Sequence, residues 1–142
     1  MKAPDGFNPL RWRCAEHGCY NEKLRPKIEI FAGCLPGKIA FTDIDGAVEI
    51  NGFVLFLEFK SGMPTELGTG QRIFFENLTR LSRRIIVVLV AGDAESMEIS
   101  HIRVARHGAF GPWEQADIDE LKLRIRGWAI GARAQPRFAG RP

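Results

Sequence analysis

From Phe41 to Gly62 the chain reads FTDIDGAVEINGFVLFLEFKSG, two runs of alternating apolar and polar positions on either side of Asn51-Gly52. Alternation with period two marks strands, and Asn-Gly between two such runs predicts a two-residue type I′ hairpin turn, whose central residues both need positive φ. With Asn51 and Gly52 as the loop, Ile50 faces Phe53 and Glu49 faces Val54. Continued to the open end, the same register sets Asp45 opposite Glu58 and Asp43 opposite Lys60. Successive side chains point to opposite faces. Ile44, Val48, Ile50, Phe53, Leu55, Leu57 and Phe59 therefore share a face expected to be core, and the other face gathers Asp43, Asp45, Glu58 and Lys60 at its open end.

The remaining pattern supplies the rest of a sheet and its helices. Gln71 to Leu81 reads as a helix with Thr69 as N-cap, Phe74, Leu78 and Leu81 as its apolar stripe, and Arg72, Glu76 and Arg80 on an outer face. Ile85 to Gly92 is a continuous β-branched run, the composition of a strand buried on both faces, and is expected at the centre of the sheet. Met97 to Ala105 predicts a last strand at an edge, Gly108 to Pro112 a loop, and Trp113 to Ile130 a closing helix whose stripe is Ile118, Leu121, Ile125 and Trp128. Asn21 to Leu35 carries both periods, and the helical one is taken. These elements predict a single α/β domain, a mixed β-sheet flanked by helices, over 21–130. An irregular arm over 1–20 precedes it, and a basic tail over 131–142 follows.

Composition narrows the class. The 142 residues are 45% hydrophobic and 26% charged, ordinary globular material. No run of about 18 apolar residues and no leader pattern occurs, so no membrane partner and a cytoplasmic location are expected. The net charge is +3. After Glu120 there is no acidic residue, and Arg124, Arg126, Arg133 and Arg137, with Arg84 before the central strand, make a one-signed series of the kind that meets phosphates. DNA is the partner this suggests. Cys14, His17, Cys19 and Cys34 bear ligand types that suit a tetrahedral Zn²⁺ site, set against the plainer reading of three reduced cysteines.

The hairpin holds the chemistry. Two carboxylates directly opposed at about 5 Å repel by about 3 kcal/mol at an effective dielectric near 20. Either Lys60 offsets this, or the pair and a strand carbonyl form the oxygen-ligand environment that Mg²⁺ or Mn²⁺ prefers.

Asp45, with Glu58-Phe59-Lys60 on the next strand, resembles the PD-(D/E)XK nuclease superfamily. Through Asp-Ile-Asp-Gly and Leu-Glu-Phe-Lys the chain also resembles small nuclease-like proteins carried by phages. The resemblance covers about Pro26 to Ala105 and implies a restriction-endonuclease-like sheet. It implies Mg²⁺ (or Mn²⁺) held by Asp45, Glu58 and the Phe59 carbonyl, with Asp43 as the alternative aspartate. It further implies that Lys60 orients or activates the attacking water and that Gln71, on the following helix, lines the site. The expected activity is hydrolysis of DNA phosphodiester bonds, with a homodimer if both strands are cut in one encounter. The alternative is a nuclease-fold protein that binds nucleic acid or a protein partner without cleaving.

Overall fold

The structure is a computed structural model that describes residues 26–136. The chain divides between Thr42 and Asp43 into two compact units. In the first, a short 3-10 helix over Ile28–Cys34 buries no residue, and Phe31 and Phe41 meet edge to face, ring centres 6.0 Å apart. The helical reading of Asn21 to Leu35 survives only as this one tight segment, and residues 21–25 lie outside the described residues.

The second unit is an α/β fold built on a six-stranded mixed sheet. Strands β1 (Gly46–Ile50) and β2 (Phe53–Ser61) form the hairpin, paired from Ile50 against Phe53 to Gly46 against Leu57. Asn51 and Gly52 have φ of 54° and 87°, as a type I′ turn requires. The Asn51 amide donates to the carbonyls of Gln135 at 2.6 Å and Ala132 at 3.2 Å. The turn thus caps the C-terminus of α2 (Ile118–Ala134), whose last carbonyls have no partner within the helix.

Helix α1 (Thr69–Arg80) carries the chain from β2 to β3 (Ile85–Asp93), which lies parallel to β2. β3 is central, as its composition predicts. β4 (Glu98–Arg106) runs antiparallel to β3. It is not the edge: the two-residue strands β5 (Ala109–Phe110) and β6 (Glu114–Gln115) pair with its far side. Strands of two residues leave no periodicity: β5 falls in the loop expected at 108–112, and β6 falls in the first residues of the helix expected from Trp113, which begins only at Ile118.

The helices cover opposite faces. α2 packs Leu121, Ile118, Ile125 and Trp128 on Leu55, Val88, Val90 and Ile102. α1 packs Phe75 and Leu78 on Val87, Leu89 and Ala105. Its buried positions are Phe75 and Thr79, not the expected Phe74 and Leu81, which are exposed. Thr79 tolerates burial because its hydroxyl donates to the Phe75 carbonyl at 2.9 Å and accepts the Gly108 N–H at 3.1 Å. The single core face expected of the hairpin is also corrected. Leu55 is buried, but Val48 is 44% and Ile44 37% exposed, because β1 is the outer strand, while Glu58 on the supposed open face is only 9% exposed.

Candidate active site

Position along β2 decides what surrounds each side chain. Phe56 packs in the α1-side core, and alternation puts Glu58 and Lys60 on that same face, at the end of the sheet where α1 begins. β1 stops at Gly46, one residue short of Asp45. Asp45 continues the predicted register in a different form: its Oδ2 accepts the Phe59 N–H at 2.7 Å. The N–H and C=O of a strand residue point the same way, so the Phe59 carbonyl faces the same gap beyond the end of β1. Asp45, Glu58 and the Phe59 carbonyl therefore converge.

Gln71, in the first turn of α1, links the other two residues. Its amide nitrogen donates to Glu58 Oε2 at 2.8 Å and its oxygen accepts from Lys60 Nζ at 3.1 Å. Fixing Gln71 leaves Glu58 Oε1, which is buried and has no hydrogen-bond partner among the described residues. Burial pushes the Glu58 carboxyl above its ordinary pKa, and the charge of Asp45 pushes the same way. The Asp45 backbone amide, Gln71 and Lys60 oppose the rise without cancelling it. A half-satisfied buried carboxylate beside a second carboxylate is a costly arrangement for a site with no cation.

The donor set fits the needs of Mg²⁺ only with help from solvent or substrate. Among the described residues no group of three or more His, Cys, Asp or Glu side chains gathers. Mg²⁺ is commonly bound through one or two carboxylates, keeping waters and substrate phosphates as its remaining ligands, and two carboxylates with a strand carbonyl meet that requirement. The charge that Glu58 feels is that of Asp45, so Asp45 is the aspartate that the geometry brings to Glu58.

The other expected residues are not at this place. Arg84 stacks over the Phe53 ring at 4.4 Å and donates to the Asn51 carbonyl at 3.4 Å. That is at the closed end of the hairpin, about 23 Å along β2 from Lys60. Arg124, Arg126 and Arg133 lie on α2, across the sheet from Glu58. Arg124 is bound by Glu114 at 3.0 Å and Glu120 at 3.5 Å, and these carboxylates raise its pKa further, so it is not an open phosphate ligand. Arg137, Cys14, His17 and Cys19 lie outside the described residues, and Cys34 is exposed.

One basic hollow on the α1 face escapes sequence reasoning. Arg80, Arg83 and His107 line it with Thr79, in a volume of about 500 Å³ at the far end of α1. The only trace in the sequence is His107-Gly108, whose φ values of 55° and 84° make the tight turn that returns the chain beside Arg80. A mainly apolar cavity of about 320 Å³ beneath α2, with Arg106 and Arg124 in its lining, is on the opposite face of the sheet. No family model, curated protein or solved structure matches this chain.

Proposed function

We propose that this protein is a divalent-metal-dependent nuclease of restriction-endonuclease-like fold that hydrolyses DNA phosphodiester bonds. The observation that carries the reading is Glu58, buried, with one oxygen tied to Gln71 and the other unpartnered, beside Asp45 and the Phe59 backbone.

Asp45, Glu58 and the Phe59 carbonyl would hold Mg²⁺ or Mn²⁺. When bound, such an ion polarises a phosphate oxygen and lowers the pKa of its water. Gln71 restrains Glu58 in one rotamer and draws Lys60 to the same spot, so the three groups are positioned before substrate arrives. Lys60 has three N–H donors and gives one to Gln71. Its others orient the attacking water and stabilise charge developing on the phosphate. α1 links this site to the Arg80–Arg83–His107 hollow, about 14 Å further along the helix, so a DNA backbone lying along α1 meets cations at both ends.

Incubating the protein with linear, nicked and branched DNA, with Mg²⁺ and with a chelator, tests the reading. Cleavage should require the cation. Melting should shift upward with the cation, by about 2.7 kcal/mol of stabilisation at a hundredfold excess over its dissociation constant. No shift and no cleavage of any form would leave a nuclease-fold protein that binds without cutting, with Asp45, Glu58 and Lys60 reduced to a charge cluster.

A further inference from the structure

The hollow at the far end of α1 is lined by Thr79, Arg80, Arg83 and His107 and by no carboxylate. Local structure builds each part of it. His107 and Gly108 take left-handed φ in succession, and their turn brings the Gly108 carbonyl to within 3.4 Å of Arg80 Nη2, which donates to it. Arg80 Nη1 donates to Asn77 Oδ1 at 2.7 Å, so the guanidinium is held from two sides. Glycine is required beside it, since a Cβ at position 108 would come within 2.9 Å of Arg80 Nε. Thr79 commits its hydroxyl to the Phe75 carbonyl and the Gly108 N–H and serves as floor. Arg83 and His107 are exposed and have no hydrogen-bond or ion-pair partner among the described residues. Arg72 and Arg124 are each neutralised by glutamates, whereas here two guanidinium groups line one hollow without an anion.

We propose that this hollow binds a terminal phosphate monoester of a nucleic-acid strand. Two guanidinium groups without an anion repel each other, and a bound anion relieves that repulsion. A phosphate monoester carries about −1.5 to −2 charge at neutral pH and three strong acceptor oxygens. An internal phosphodiester carries a single charge and leaves the hollow on both sides, so it matches two fixed cations less well. Arg80 keeps donors free after its bonds to Asn77 and Gly108, Arg83 has all of its own, and His107 offers at least one N–H in either protonation state. The volume of about 500 Å³ is more than a phosphate group fills and lies within the range of small-ligand sites, so the attached sugar has room. The dipole of α1 opposes an anion at this end of the helix, and the site therefore acts through its side chains. That the phosphate belongs to a nucleic-acid strand rests on the reading of Asp45, Glu58 and Lys60 given above, because the hollow shares the α1 face with them. With Gln71 about 14 Å away along the same helix, a strand anchored by its end phosphate would be cut within a few nucleotides of that end.

Fluorescence polarisation on the full chain in chelator, where binding is read without cleavage, provides the test. The probes are short duplexes that differ only in carrying a 5′-phosphate, a 3′-phosphate or hydroxyls at every end. One kind of phosphorylated end should bind about tenfold more tightly than the hydroxyl-ended duplex, and inorganic phosphate should compete that advantage away. Arg83→Ala removes a side chain without partners, and His107→Asn keeps a residue that accepts left-handed φ. Each should leave the circular dichroism melt unchanged and reduce the advantage to about twofold or less. Equal affinity for phosphorylated and hydroxyl ends overturns the proposal even where Mg²⁺-dependent cleavage is found, and so does an advantage that survives both substitutions. Inorganic phosphate bound with no preference between ends would make the hollow a free-phosphate site, and that also overturns it. A preference for a phosphorylated end in a protein that cleaves no DNA supports the proposal and counts against the nuclease reading alone.

Discussion

Glu58 is an expensive residue to bury, and its burial has a pH signature. Its folded-state pKa is raised, so between the ordinary carboxyl value and the raised one the folded chain binds more protons than the unfolded chain. Its contribution to stability is then fully present below the ordinary value and lost as pH rises through the raised value. In chelator, Glu58→Gln should match wild-type stability under acid conditions, where Glu58 is protonated. It should become progressively more stable than wild type as pH rises, read from urea midpoints at a series of pH values. The same variant should abolish the metal-dependent melting shift and cleavage. Lys60→Ala should keep that shift while cleavage falls by about a hundredfold or more, because its assigned work is on the water and the developing charge. Loss of the shift in Lys60→Ala would assign the lysine to the cation site instead.

At the scale of elements, two local conformations tie the sheet together. Asn51 supplies the left-handed φ of the hairpin turn and caps α2, so Asn51→Ala should cost about 1–2 kcal/mol, seen as a lower urea midpoint at unchanged slope. Gly92, at the bulge where the β3–β4 register shifts, has φ of 154°, and a Cβ there would come within 2.5 Å of the Glu98 carbonyl oxygen and the Ile99 Cα. Backbone cannot yield as a side chain can, so Gly92→Ala should destabilise by about 1–3 kcal/mol on the same measurement. A Gly92→Ala protein of wild-type stability would mean that the bulge relaxes.

For the whole molecule, the question is where the cations lie relative to the site. Arg124 is neutralised by two carboxylates and is on the α2 face, whereas Arg80 and Arg83 share the α1 face with Glu58. If DNA lies along α1, replacing Arg80 and Arg83 by Ala should reduce the slope of log affinity against log salt by about one unit for each phosphate that is no longer neutralised. Replacing Arg124 should leave the slope unchanged. The reverse result would move the DNA to the other side of the sheet. Among the described residues no helix is long and apolar enough to cross a membrane.

What the sequence determined by itself is what neighbours in the chain decide. Asn51-Gly52 specifies its turn because few residues accept positive φ twice in succession, and the turn then dictates the register that brings Asp45 beside Glu58. The β-branched run Ile85 to Gly92 declares a central strand for a similarly local reason. Burial is different, since it depends on what lies above a side chain. Val48 is apolar yet exposed because, among the described residues, no strand pairs with the outer edge of β1, and Glu58 is charged yet buried where Gln71, in the first turn of α1, bonds it. Thr79 replaced Phe74 in the core because a hydroxyl with backbone partners is easily buried, a compensation invisible until Gly108 is folded against it. The sequence already expected Gln71 at the site, the tertiary structure adds its hydrogen bonds to both Glu58 and Lys60, and the tertiary structure alone put the basic face of α2 across the sheet from them. Which face a helix covers is set by the path of the chain between strands, and no periodicity within the helix records that path.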